Sequence, residues 1–245
     1  MKAMVLAAGL GTRLRPMTDS RPKALVEVAG RTLLEITLTR LHEFGMNEVI
    51  VNVHHFADMV IDYLKSKNNF GMRIEISRED VLLDTGGGLK KAAWFFLDDP
   101  LRLDEPFVLH NVDVISSIDL RRMVGVHAEN QALATLAVKN RETSRYLLFD
   151  EQDRLCGRRS KPDLKTELVR PVEKPQALAF SGIHVLSPRL LPMIREDGVF
   201  SIINTYLDLV ARGENVAAFH ADQYYWRDLG RPEHLAQAEM DMKSI

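Results

Sequence analysis

The chain has 245 residues, 46% of them hydrophobic and 27% charged, with a formal net charge of −2. That length and balance suit one large α/β domain with a substantial core. They argue against an extended nucleic-acid surface or a polybasic membrane anchor. No apolar stretch reaches the ~18 residues of a membrane-spanning helix. Arg13 and Arg15 cut short the one N-terminal run that imitates a signal peptide. The single cysteine, Cys156, allows no internal disulfide and suits a reducing cytoplasm, the compartment expected here. Its neighbours offer no paired base, so it reads as a packing residue.

Ala3–Ala8 is an apolar run that reads as a buried first strand. It empties into Gly9-Leu10-Gly11-Thr12-Arg13-Leu14-Arg15-Pro16, followed by Arg21-Pro22-Lys23. Glycines let backbone N–H groups converge on phosphate oxygens, and the arginines and Lys23 add positive charge to the same loop. The pattern is that of a polyphosphate site. It is not a P-loop, because no Gly-Lys-Ser/Thr follows, and not a dinucleotide fingerprint, because Leu14 stands where the third glycine belongs.

Helix and strand patterns then alternate. Ala24–Ala29 is a short extended segment, and Thr32–Phe44 has helical spacing and ends at Gly45. Glu48–Val53 is a strand, Phe56–Lys67 a helix and Arg73–Ser77 a strand. Leu89–Leu97 is helical, with Trp94, Phe95 and Phe96 as packing residues, and Pro106–Leu109 begins another strand. This order predicts a single Rossmann-like three-layer α/β/α domain with a mostly parallel, mixed central sheet and ligands beyond the strands' carboxyl ends. His54 and His55 end a strand on opposite faces, so they cannot chelate one ion; one is expected at the pocket rim and one packed below. Gly86-Gly87-Gly88 is expected to precede a helix, its bare backbone open to a base or ribose.

Phe107–Asp113 is an apolar strand ending in an acid, well placed for a metal held by nucleotide phosphates. Beyond it, Leu133–Val138, Tyr146–Phe149, Ala177–Leu186 and Asn215–Phe219 read as strands. Phe200–Arg212 and Glu233–Met242 read as helices. Gln152–Pro175 is polar, without clear period, and reads as rim loops and short strands. Gly182, a glycine within a strand, marks close approach of a ligand.

The string G-x-G-T-R-L-R-P with Pro22-Lys23 resembles the signature of the sugar-1-phosphate nucleotidyltransferases. The likeness runs from Met1 to about Glu239 and includes Trp226-Arg227-Asp228-Leu229-Gly230 and Glu173-Lys174-Pro175. It implies a nucleotide-diphospho-sugar transferase fold over 1–245. The nucleotide half would be about 1–115 and the sugar half about 116–245, with no C-terminal β-helix. It implies Mg²⁺ on Asp113 and Asp228. The nucleotide would lie against Ala7, Ala8, Gly9, Gly11, Thr12, Arg13 and the three glycines. Asn111, Glu173, Lys174 and Gly182 would hold the sugar phosphate. Arg13, Lys23 and Asp113 would carry catalysis: Arg13 on the leaving phosphates, Lys23 bridging the attacking and α-phosphates. Val112 replaces the small residue usual before the acid and is expected to alter packing beside the sugar. Gly86–Gly88 and the short chain favour UTP with N-acetylmuramate 1-phosphate. GTP with a mannose or heptose phosphate, phosphocholine cytidylyl transfer and a non-catalytic nucleotide or sugar sensor stay open. An NTP and a sugar 1-phosphate are the expected partners, with no nucleic acid and no membrane; the oligomeric state is not legible.

Overall fold

Alternate residues of the first strand serve different cores: Ala3 and Val5 face one, Met4 the other. That double-sided burial is what a strand sandwiched between helix layers requires. The computed structural model describes residues 1–161 and 165–243. Its strands are β1 Lys2–Leu6, β2 Glu27–Val28, β3 Arg31–Thr32, β4 Glu48–Val53, β5 Arg73–Arg78, β6 Phe107–Asn111 and β7 Val114–Ser116. They continue with β8 Ala134–Lys139, β9 Arg145–Phe149, β10 Leu155–Ser160, β11 Lys165–Leu168, β12 Gln176–Leu186, β13 Val216–His220 and β14 Trp226–Asp228. The helices are α1 Leu33–Glu43, α2 Ala57–Ser66, α3 Asp84–Lys91, α4 Ala93–Phe96, α5 Leu120–Glu129, α6 Ile202–Ala211 and α7 Pro232–Lys243.

Among the described residues ten strands form one mixed sheet. Strands β6, β1, β4 and β5 are parallel. Strand β12 joins β6 antiparallel, β8 joins β12, and β13 runs parallel to β8. The N-terminal part of β12 also pairs with β9, which extends into an antiparallel meander through β10 and β11. Helices α1, α2, α5 and α7 cover one face and α3, α4 and α6 the other. The expected three-layer α/β/α architecture is the one present. No described helix is long and apolar enough to cross a membrane.

Local chemistry sets the element ends. The Thr32 hydroxyl caps α1 by accepting from Glu35 N–H at 3.0 Å, and Gly45 leaves the helix at φ 81°. The glycine segment differs from expectation. Gly86–Gly88 lie inside α3, which starts at Asp84, and a short break separates α3 from α4. Phe95 and Phe96 are buried as expected, whereas Trp94 is half exposed. Gln152–Pro175 holds β10 and β11; residues 162–164 of that stretch lie outside the described residues.

Candidate functional site

The parallel strands β1, β4 and β6 end together, and a cleft of ≈ 360 Å³ opens beyond them. Ala8, Gly9, Lys23, Thr85, Asn111 and Asp113 are among its walls. A second recess of ≈ 350 Å³ shares Gly9 and Lys23 and runs along Gly11, Thr12 and Arg13 to Gly230. The loop after β1 therefore spans both.

That loop is tied down at several points. Ala7 N–H donates to Asn52 Oδ1 at 2.7 Å. Asn52 Nδ2 in turn donates to Glu79 Oε1 at 2.7 Å, and Leu83 N–H donates to Glu79 Oε2 at 2.9 Å. Gly11 sits at φ 66°, where a Cβ would meet the Thr18 methyl at 2.9 Å, and its carbonyl accepts from Leu14 N–H and the Thr18 hydroxyl. The turn Thr12–Leu14 buries Leu14 and leaves Arg13 exposed on the recess. Lys23 is buried, and its ammonium pairs with the Asp113 carboxylate.

Asp228 reaches the same place through the ribbon β7–β14, in which Asp228 lies opposite Val114. Leu229 N–H donates to the Asp113 carbonyl at 2.8 Å, so the two acids come from backbone bonded together. Gly230 N–H fixes Asp228 Oδ1 at 2.6 Å. A Cβ on Gly230 would lie 2.6 Å from Arg13 Nη2 and 2.7 Å from Asp228 Oδ1, so Arg13 and Asp228 flank that glycine. Trp226 Nε1 donates to Ser181 O at 2.7 Å, and the Arg141 guanidinium stacks 4.1 Å over the indole. Burial pulls Arg141 down from its usual pKa, and the nearby Asp228 charge opposes that.

Where β12 meets β6, register places Ile183 opposite His110, which brings Gly182 against Asn111. Gly182 has φ 76°, and a Cβ there would approach Asn111 Nδ2 to 2.9 Å. Asn111 Oδ1 is buried without a partner among the described residues. Behind it His110 is fully buried, and desolvation holds its imidazole down at about 4.

The structure thus gathers Ala8, Gly9, Lys23, Asn111 and Asp113 on the cleft, Gly11, Thr12 and Arg13 on the recess, and Asp228 and Gly182 beside them. Other residues lie elsewhere. Gly86 and Gly87 are small because Cβ atoms would strike the Phe200 ring at 2.3 Å and Gly198 O at 2.2 Å. Gly88 packs on the Asn52 and Glu79 side chains. Asp84 and Thr85, not the glycines, face the cleft. Glu173 and Lys174 are exposed between β11 and β12 and line neither cavity. The pairing of Gln176 with Phe149 holds that connection out at the meander.

His54 donates from Nδ1 to Glu79 O at 2.8 Å, and His55 is exposed against the Phe56 ring; neither lines the cleft. Val112 is buried, packs in the core and is also one of the walls of the cleft, between Asn111 and Asp113. Cys156 is buried as expected; burial pushes its thiol up, and it donates to Leu148 O at 3.2 Å.

Sequence reasoning missed Asn52, Glu79 and Arg141. Asn52 and Glu79 each close a strand pattern at the carboxyl end, a position that could have flagged them. Nothing in the sequence around Arg141 gave its stacking partner.

The chain is similar to known proteins along nearly its whole length. The chain is 34% identical to the N-acetylmuramate alpha-1-phosphate uridylyltransferase of Caulobacter vibrioides, over 97% of this chain and 95% of that one. It is 28% identical to the UTP–glucose-1-phosphate uridylyltransferase of Synechocystis, covering 97% of this chain but only 62% of that relative's length. Among solved structures, a UDP-glucose pyrophosphorylase complexed with UDP-glucose superposes with a TM-score of 0.79 over 99% of this chain and 98% of that one, at 18% identity, a likeness of fold. The family model described as nucleotidyl transferase matches residues 2–245, and with that match running over nearly the whole chain, the chain belongs to the nucleotidyl transferase family.

Proposed function

We propose that the chain transfers a nucleotidyl group from an NTP to a sugar 1-phosphate. The observation that carries this reading is the Lys23–Asp113 pair at the strand ends, with Asp228 locked beside it by the Leu229 N–H bond to Asp113 O. In the reaction a sugar-phosphate oxygen attacks the α-phosphorus, the bond from that phosphorus to the β-phosphate bridging oxygen breaks, and pyrophosphate leaves with its electron pair. The attacking phosphate has a second pKa of ~6 and is ionised at neutral pH, so no general base is required. What the protein supplies is alignment and charge neutralisation.

Arg13, on the recess and free to swing, suits the leaving phosphates with its planar fork. Lys23, anchored on Asp113, suits the junction between the attacking and α-phosphates. Backbone at Gly9 and Gly11 permits close approach of the triphosphate. Asn111, with an unused buried acceptor, and Gly182 form the wall for the sugar.

Two carboxylates carried on backbone that is hydrogen-bonded together are a hard-oxygen donor set that fits Mg²⁺ completed by phosphate oxygens and water. Asp113 and Asp228 would hold it. Such an ion neutralises phosphate charge and orients the α-phosphate when bound.

The relative that matches at 34% over almost the full length of both chains supports UTP and N-acetylmuramate 1-phosphate as the substrate pair. The test is pyrophosphate release from a grid of five NTPs against N-acetylmuramate, N-acetylglucosamine, glucose, mannose and heptose 1-phosphates and phosphocholine, with and without Mg²⁺. A Mg²⁺-dependent signal with UTP and N-acetylmuramate 1-phosphate is expected. Binding of NTP with no pyrophosphate from any acceptor would instead favour a sensor. Arg13→Ala and Asp113→Ala should each lower kcat by ~10²-fold or more; Arg13→Ala should leave the unfolding midpoint unchanged, whereas Asp113→Ala should lower it by stranding the buried Lys23 ammonium.

A further inference from the structure

Next to the cleft, beyond Val199, lies another pocket of ≈ 380 Å³ that the proposed chemistry leaves unused. Its walls come from the face of the meander carrying Arg145 and Arg158, from Phe180 of β12, and from Ser201 and Asn204 at the start of α6. Its walls neighbour those of the cleft at two points. Ile202 N–H donates to the hydroxyl of Thr85, a cleft residue, at 3.0 Å. Phe180 lies two positions before Gly182, which abuts Asn111. An acceptor with its phosphate near Asp113 and its ring along Asn111 and Gly182 is taken to extend its remote substituents toward this pocket.

The charge in the pocket is unbalanced. Register pairs Ser160 with Arg145 and Arg158 with Leu147, so the two arginines are diagonal neighbours on one face of the β9–β10 pair. Both guanidinium groups thus add positive charge to the same wall of the pocket. Arg158 is held in orientation: Nε donates to Glu167 Oε2 at 2.7 Å and Nη1 to Asn204 Oδ1 at 2.8 Å. Its Nη2 has no partner among the described residues. Arg145 has no acidic partner among them either. Among the described residues Glu167 is the sole carboxylate paired with this couple, so among them one positive charge at the pocket has no counter-charge.

We infer that Arg145 and Arg158 receive an anionic substituent of the acceptor sugar and so select acidic sugar 1-phosphates over neutral ones. The inference rests on the sugar-1-phosphate reading above. Carboxylate and second phosphate share the chemistry these guanidiniums recognise, and separate substrates distinguish them.

The experiment is steady-state pyrophosphate release with three acceptors. N-acetylglucosamine 1-phosphate is neutral beyond its phosphate. N-acetylmuramate 1-phosphate differs from it only by a carboxylate-bearing lactyl ether. Glucose 1,6-bisphosphate carries a second phosphate. Each is assayed with the wild type, Arg145→Gln, Arg158→Gln and Glu167→Gln.

In the wild type one of the acidic acceptors should exceed the neutral one in kcat/KM, and which one identifies the anion. Each arginine variant should lose about 10-fold to 100-fold on that acceptor, chiefly in KM, with the neutral acceptor unchanged. Glu167→Gln removes the competing carboxylate and should improve the acidic acceptor. Arg145 makes no side-chain contact the fold depends on, so its variant separates recognition from folding.

Equal turnover of neutral and acidic acceptors by the wild type overturns the inference and leaves nucleotidyl transfer standing. Equal losses on both acceptors in Arg145→Gln overturn it as well. Silence with all three acceptors and with the wider grid refutes the nucleotidyl-transfer reading itself, and the inference with it.

Discussion

Glu79→Gln alters a side chain by one heavy atom, yet the structure gives it a definite cost. Glu79 is 2% exposed, and both its oxygens accept from donors, Oε1 from Asn52 Nδ2 at 2.7 Å and Oε2 from Leu83 N–H at 2.9 Å. Asn52 cannot turn round to oblige a glutamine, because its Oδ1 is held by Ala7 N–H at 2.7 Å. A glutamine at this position satisfies one donor and sets its own NH₂ against the other. A hydrogen bond to a charged group contributes about 1.5–3 kcal/mol and an unsatisfied buried donor costs about 1–3 kcal/mol. The relief of no longer burying a carboxylate offsets part of this, which leaves a net destabilisation of about 1–3 kcal/mol.

In a chain of 245 residues a loss near 2 kcal/mol lowers Tm by roughly 4–8 °C. Thermal and urea unfolding read that directly. KM for the NTP should rise in parallel, since the same three side-chain bonds hold the backbone of the phosphate loop. A variant with unchanged or higher Tm would mean that the desolvation of the carboxylate outweighs its hydrogen bonds, and the clamp argument would fail.

Gly182→Ala places a methyl 2.9 Å from Asn111 Nδ2 at a backbone φ of 76°; strain of about 1–2 kcal/mol should accompany a higher KM for the acceptor, and an unchanged KM would remove Asn111 from the sugar wall. Asp228→Asn keeps the Gly230 N–H bond but halves the carboxylate pair, so Tm should hold while the Mg²⁺ concentration for half-maximal rate rises; an unaltered Mg²⁺ titration would exclude Asp228 as a ligand.

Burial, with a smaller push from Arg189, holds His127 down at about 4 against an ordinary 6.5. The folded state therefore refuses a proton that the unfolded chain accepts. This contribution is fully present above pH 6.5 and is lost as pH falls toward 4, about 2 kcal/mol of it by pH 5. Urea midpoints at pH 7 and pH 5 should converge in His127→Asn relative to the wild type, and an identical pH dependence in the two would rule His127 out as the source.

The layered fold was readable because the parallel strands are buried on both faces and their helices carry apolar stripes, as in Glu48–Val53 and Thr32–Phe44. The glycine-, arginine- and lysine-bearing loop after β1 was readable as a candidate site because its signal is local, within a few turns of chain. Side-chain partnerships between distant strands left no periodic trace. The Asn52–Glu79–Leu83 clamp, and Arg141 over Trp226, depend on which strand ends fall together. The glycine run misled for a related reason. Gly86–Gly88 looks like bare backbone for a ligand, but what approaches it is the segment Gly198–Phe200 and the clamp itself. Glu173-Lys174 fits a short motif, and only the register of β12 against β9 shows where it is carried.

The ribbon β7–β14 also fixes an order of events during synthesis. Asp113 emerges with the parallel strands, but its partner Asp228 emerges only after β13 has completed the large sheet. A nascent chain can thus bury most of its apolar surface while half of the carboxylate pair is still inside the ribosome. A chain broken off just before Trp226–Asp228 would lack the ribbon that brings Asp228 to the backbone of Asp113.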